Sequence, residues 1–353
     1  MSGLLANPKV FTAVIAVGIV FFVSVYGGAL GAEFGGGFLG SPLASIELKA
    51  EPVSADPLVG GYVITNTMIT TWIAILVLGL VSYLGTRRIK EVPGRLQGFL
   101  EVVLGFFIDI TESVAGPEKA RRFFPLVVTI FLFIVTSNWL GILPGFGTIG
   151  RFEPAEELIH HKEAVAEKAG DELDLDKVKL QIFEGSGAVA LLPFGSVDSV
   201  ATGHDYEEKV GEGQRAGVLV PFLRSANTDI NTPMAMALVA MFMVHFWGFS
   251  VLGVFGHLGK FLNFKEGPIG LFVGLLEIVS ELARIISFTF RLFGNIFAGE
   301  VLLIAMAFLI PLIGLVPFLG LELFVGLIQA FIFAMLTLVF ATTATISHGG
   351  DEH

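Results

Sequence analysis

The chain has no cysteine, which excludes disulfides, thiol catalysis and thiolate metal sites. It is also short of charge. Asp, Glu, Lys and Arg make up 15% of its 353 residues, where soluble globular domains carry about a quarter. Bases are the scarcer kind, 21 against 32 acids, and no basic stripe exists to neutralise phosphates, so no nucleic-acid partner is expected. No cofactor or metal is expected either. What fills the chain is apolar: 54% of residues are hydrophobic and the mean hydropathy is +0.80. Several runs reach the ~20 residues that cross a bilayer as helix. The fold class expected is an all-α polytopic membrane protein with five to six membrane helices. Two long tilted helices form its C-terminal hairpin, and an interfacial helix and a polar external insertion complete it.

Residues 1–65 hold a first apolar run, Val10 to Ala32, then a Gly-rich loop. That run is long for a signal peptide, whose apolar core spans about 7–15 residues, and is read as a retained helix. Residues 66–150 contain a span from Thr67 to Leu84 that ends at Arg87, Arg88, Lys90 and Arg95, marking a cytoplasmic edge. Leu96 to Gly116 mixes apolar residues with Glu101, Asp109 and Glu112, as an interfacial helix does. Lys119, Arg121 and Arg122 mark a second such edge before the outward span Phe123 to Leu143. Residues 151–217 form a polar insertion, expected outside, with 15 acids and 7 bases between Arg151 and Arg215. "EPAEELIHHKEAVAEKAG" reads as an exposed helix; "DLDKVKLQIF" and "AVALLPF" read as strands. Residues 218–353 return to the membrane. Thr228 or Asp229 caps the inward span Met234 to Phe255, and Lys260 and Lys265 follow at the cytoplasmic edge. Pro268 to Leu309 and Leu312 to Thr343 then form the hairpin around Pro311 to Pro317.

The first arm of that hairpin carries charge where charge is expensive. Glu277, Arg284, Arg291 and Ala298 recur every seventh residue and share one helical stripe, with Ser287, Gly294 and Asn295 beside Arg291. Arg284 has Glu281 three residues before it and Glu277 seven before. Arg291 has no acid three or four residues away, and its guanidinium stays charged, so its counterion comes from another helix or another chain. On the second arm Glu322 and Gln329 share a face. A turn near Pro311 levels Glu300 with Glu322, and Arg291 with Gln329. No acid falls at the arginine's level, which points to an intermolecular partner.

"FRLFGNIFAGE" followed by "LIQAFIFAMLTLVF" resembles the signature of the a-subunit of the F-type ATP synthase; "ANTDINTPMAMAL" and "NWLGILPG" are similar to weaker stretches of that family. The resemblance runs from about Ile64 to the C-terminus. The insertion and the first helix depart from the family plan. The resemblance implies a multi-pass stator subunit of the cell inner membrane, its C-terminus cytoplasmic, that performs no ATP chemistry itself. It implies two proton half-channels held against a rotating ring of c-subunits, with b-type stalk subunits and membrane lipid as further partners. Arg291 matches the arginine that faces the ring's carboxylate. Asn295 and Gln329 match polar residues of its layer, Glu300 an acidic channel position, and Glu277 a carboxylate toward the cytoplasm. Glu322 stands where many bacterial relatives have His.

Other readings stay open at several residues. His245, within "MFMVHFWGF", is either a channel proton carrier or a hydrogen-bonded buried histidine. Asp229 is either a helix cap or a channel group. His160 and His161 with Glu156 and Glu157 fit a solvated helix face better than a metal site. The C-terminal "SHGGDEH" reads as a tail. The rival function is an independent ion transporter or channel with a midplane arginine site, which predicts inverted repeats or broken helices, and acidic residues able to pair Arg291 within the chain.

Overall fold

A backbone in lipid has no water to satisfy its polar groups, so each long apolar run closes its own hydrogen bonds as helix. The computed structural model describes residues 8–32, 34–37, 50–53, 63–143, 145–147, 149–170, 172–184, 189–191, 197–259, 261 and 267–346. Among these, six helices are long and apolar enough to cross a membrane. They are α1 (Pro8–Gly27), α3 (Asn66–Thr86), α5 (Pro117–Gly141), α8 (Asn231–Leu258), α9 (Gly267–Leu309) and α10 (Leu315–Ala344). The protein is an all-α polytopic membrane protein with a small sheet in its insertion. Lys260, Lys265 and the C-terminal tail lie outside the described residues.

Local chemistry sets most boundaries. The first apolar run does not continue to Ala32 as one helix: α1 stops at Gly27, and α2 (Ala29–Ala32) follows one residue later. A side chain on the intervening Gly28 would meet Leu309 O and Pro311 Cδ, and Ser24 Oγ donates to Pro311 O beside it. The helix α4 (Arg95–Ala115) ends at Gly116, whose φ of 76° suits glycine, and Pro117 opens α5 with its missing N–H at no cost. The 43 residues of α9 run unbroken, about 64 Å at 1.5 Å per residue, because no proline interrupts them past the first turn. Leu312, at φ 65°, turns the chain toward α10.

The chain divides into two units, each drawn from three stretches of sequence. One comprises Met1–Ile69, Gly141–Arg224 and Ala298–Leu323. Its insertion folds as five antiparallel strands in the order β3-β1-β5-β2-β4: β1 (Ile149–Pro154), β2 (Lys179–Glu184), β3 (Val189–Leu191), β4 (Val197–Thr202) and β5 (Gln214–Pro221). The helix α6 (Ala155–Ala169) covers one face, where Leu158 meets Leu180, Ile182, Ala216 and Val218. Phe152, Phe183 and Leu219 gather apart from that cluster, with the Arg215 guanidinium 4.4 Å from the Phe152 ring centre. The alternation of strand residues divides these two groups. A one-turn helix α7 (Tyr206–Lys209) connects β4 to β5.

The expected strand "DLDKVKLQIF" is β2 preceded by a 3-10 turn at Leu175–Lys177. The expected helix is α6, stopped at Gly170 with φ 78°. Strand β3 falls within the expected strand "AVALLPF", whereas β1, β4 and β5 lie outside the two stretches read as strands and are defined by their pairing with neighbours.

The second unit comprises Thr70–Leu140, Ser225–Phe297 and Phe324–His353. Its core packs Phe107 of α4, Phe123, Val127 and Ile134 of α5, Met241 and Trp247 of α8, Phe288 and Leu292 of α9, and Phe333 and Leu338 of α10. Small residues in the same core, Ala237, Ala240, Ala330 and Ala334, let helices approach closely.

Candidate functional site

The Arg291 layer is built on the second unit's part of α9 and α10. Phe288, Leu292 and Ile296 turn one face of α9 into the core, leaving Ser287 and Asn295 exposed and Arg291 half-buried. Arg291 Nη2 donates to Ser287 Oγ at 3.3 Å, and among the described residues it has no carboxylate partner. Asn295 Nδ2 donates to Gln329 Oε1 at 2.7 Å, joining the two helices at this level. Gln329 is 3% exposed. On α10, one turn before Gln329, Gly326 leaves room for Asn138 of α5, whose Nδ2 donates to Gly326 O at 3.1 Å. Asn227 Nδ2 in turn donates to Asn138 Oδ1 at 2.7 Å.

Glu300 and Glu322 belong to the other unit, and a third residue meets them there. Arg224 Nε donates to Glu300 Oε1 at 3.1 Å, and its Nη2 donates to Oε2 at 3.1 Å, a two-pronged pair. The side chains are 7% and 25% exposed. Strand β5 delivers the arginine, ending at Pro221 three residues before it. Glu322 sits against the α9 backbone at Gly299, where any β-carbon would overlap its carboxylate. Among the described residues no cation pairs with Glu322.

The remaining sequence candidates fall elsewhere in the second unit. Asp229 Oδ1 accepts from the Asn231 main-chain N at 3.2 Å and from its Nδ2 at 3.0 Å, a turn just before α8. His245 lies between two partners: its Nδ1 is 3.2 Å from His257 Nε2, and its Nε2 is 3.5 Å from Glu281 Oε2. Glu281 pairs with Arg284, whose Nη2 is 3.8 Å from Glu277 Oε1. In the insertion, His160 pairs with Glu163 at 3.7 Å on an exposed face.

A family model described as ATP synthase A chain matches residues 68–342. The chain belongs to the ATP synthase A chain family. Among relatives in the family is an ATP synthase subunit a from Gloeobacter violaceus, 29% identical over 288 residues, which cover 82% of this chain and 86% of the relative. Another is an ATP synthase subunit a from Solidesulfovibrio magneticus, 28% identical over 281 residues, 79% of this chain and 83% of the relative. The family match spans the whole insertion and both polar clusters of the hairpin; α1 and α2 precede it.

Sequence reasoning passed over Arg224, Asn138, Asn227 and His257. A lone arginine between an apolar strand and "SANTDINT" was the available signal for the first. His257 had none, because its meeting with His245 depends on a bend. Gly253, with φ 73° inside α8, supplies that bend.

Proposed function

We propose that this chain is the stator a-subunit of an F-type ATP synthase in the cell inner membrane, carrying protons through two half-channels past a c-subunit ring. The observation that carries the reading is Arg291, a permanent charge on an open stripe of small and polar residues with no carboxylate partner in its own described chain. A charge so placed calls for an acid from outside, and Ser287, Gly294 and Ala298 leave space for a neighbouring helix. Among the described residues none offers the in-chain counterion that an independent transporter with an arginine site requires.

The physics of the cycle follows. A ring carboxylate facing lipid keeps its proton, because its charged form is strongly disfavoured there. Opposite Arg291 the ionised form gains a partner, so the proton departs. The fixed positive charge also repels protons that would leak between the half-channels. Asn295 and Gln329, joined by their hydrogen bond, shape the arginine's layer. Glu322 exchanges protons in one half-channel, next to a Glu300 held by Arg224. Glu277 lies in the other, and Asp229 orders the start of α8. Partners under this reading are the ring, b-type stalk subunits and lipid. The chain itself performs no ATP chemistry, and its insertion faces the outer side while its C-terminus is cytoplasmic.

The deciding experiment is ATP-driven proton pumping by vesicles carrying Arg291→Ala, where near wild-type rates would overturn the reading. Orientation is checked separately. A cysteine introduced at Ala166 should react with an impermeant thiol reagent on intact cells, and reaction only in inverted vesicles reverses the topology.

A further inference from the structure

Four titratable or charged side chains line up between α8 and α9: His257, His245, Glu281 and Arg284. Their meeting depends on two glycines. In a straight helix, twelve residues hold His245 and His257 about 18 Å apart. The left-handed Gly253 folds the end of α8 back, so the two rings stand 5.4 Å apart between centres. Gly248 makes the seat, since a β-carbon there would strike the His257 ring. Phe249 and Phe261 pack edge-on against the same ring, which is 2% exposed.

The nitrogens of His245 point two ways, Nδ1 to His257 and Nε2 to Glu281. That disposition suits proton transfer and not chelation, because the middle ring turns one nitrogen to His257 and the other, at 3.5 Å, to Glu281. Exposure is 43% at the Glu277 side chain, 15% at Glu281 and 29% at His245, and His257 at the far end is 2% exposed. Arg284 holds the two carboxylates beside one another and carries no mobile proton itself. It also lies 4.7 Å from the Phe340 ring of α10, so an aromatic face completes its surroundings.

We propose that Glu281, His245 and His257 form a proton relay that takes up one proton from the side of Glu277 and holds it at the buried His257 ring. The inference rests on the half-channel reading above. The step balances. A proton arriving on Glu281 Oε2 passes to His245 Nε2, and the proton on His245 Nδ1 moves to His257 Nε2. Glu281 returns to carboxylate, His245 exchanges one tautomer for the other, and His257 becomes the imidazolium. Release runs the same transfers backward to the side of Glu277, so the three groups act as a side store that feeds the half-channel, and losing the store slows proton delivery. No oxidant, reductant or further reactant takes part.

The test uses the intact complex in vesicles. Glu281→Gln and His245→Gln should each lower passive proton flux roughly tenfold and alter its pH profile, with Glu281→Asp restoring part of both. That is less than the ~100-fold or more of a sole transfer group, since water offers a parallel path. Gly248→Ala removes no titrating group but unseats His257, and should give the same loss. In complex labelled with 15N-histidine, the His245 and His257 resonances should titrate as a coupled pair. That measurement needs no variant, so failed assembly of a mutant does not shelter the proposal. Independent titration of the two rings overturns the relay, as does wild-type flux with an unchanged pH profile in Glu281→Gln and His245→Gln. If Arg291→Ala abolishes pumping while those two variants keep flux and profile, the relay alone is wrong. If Arg291→Ala still pumps, the half-channel reading itself has failed.

Discussion

Two arginines placed among apolar residues meet opposite circumstances. Arg224 arrives at the end of a strand and finds Glu300, which takes both prongs of its guanidinium at 3.1 Å. Arg291 sits on a long helix, touches one serine hydroxyl, and among the described residues meets no acid. Burying a lone charge costs several kcal/mol, so an arginine left without a counterion is retained only where something outside the chain repays it. Under the proposed function the paired arginine holds structure and Arg291 faces the ring.

The most severe test of that contrast is at Arg291. Arg291→Ala should abolish ATP-driven proton pumping in vesicles while the complex still assembles, since among the described residues it loses a hydrogen bond to Ser287 and no ion pair. Arg291→Lys should be badly impaired as well, because an ammonium lacks the planar fork and its charge is less secure in a dry site. Retained pumping by either variant would erase the distinction between the two arginines.

Arg224→Ala should act by the opposite route. It leaves Glu300 partly buried without its cation, a change that costs about 3–5 kcal/mol for buried pairs, and the expected result is little assembled complex. Arg224→Met combined with Glu300→Gln removes both charges and should recover much of the assembly that Arg224→Ala loses. Quantifying the subunit in purified complex decides it: an assembly level for the double variant no better than for Arg224→Ala would mean the ion pair is not what matters.

Glu300 and Glu322 come next. The Glu322 carboxylate lies at Gly299, next to Glu300 in the chain, and Arg224 pairs with Glu300. Single Gln substitutions should give partial loss of proton flux per assembled complex and a changed pH profile, and the double substitution should lose far more. A flat profile with wild-type flux in the double variant would leave the carboxyls a structural role only.

The smallest effect is expected at an ion pair in water. In the insertion, Asp205 accepts from Thr202 N at 2.6 Å and lies 2.5 Å from Lys209 Nζ. The lysine, with the Thr202 amide, draws the carboxyl from its ordinary 3.8 down to about 2. A carboxylate lowered on folding adds stability above its unfolded value, and that stability disappears as pH falls through the folded one. Protection of the turn Gly203–Lys209 against hydrogen exchange should therefore decline slightly between about pH 4 and pH 2, and Asp205→Asn should flatten that decline. Exposed pairs contribute little. A loss as large as that of Arg224→Ala would contradict the view that burial separates these cases.

Much of the Arg291 layer was legible in residue spacing. Seven-residue recurrence put Glu277, Arg284 and Arg291 on one stripe, and the absence of an acid at helical reach left Arg291 without a counterion. The hairpin register levelled Glu300 with Glu322, and the carboxylate of Glu322 lies at Gly299, next to Glu300 in the chain. Arg224 could not be read in the same way. It reaches Glu300 across 76 residues of chain, and helical periodicity says nothing about a strand from an insertion.

The sequence by itself determined the membrane class, the long apolar helices and the lone charge of Arg291, because periodicity and hydropathy act within one element at a time. Only the tertiary structure decided which charges are already satisfied. Strand β5 brings Arg224 to Glu300, the Gly253 bend returns His257 to His245, and Gly326 admits Asn138 to α10. Each depends on distance between segments remote in sequence. An ion pair or hydrogen bond forms only within a few ångströms, and chain order does not fix separations of that kind.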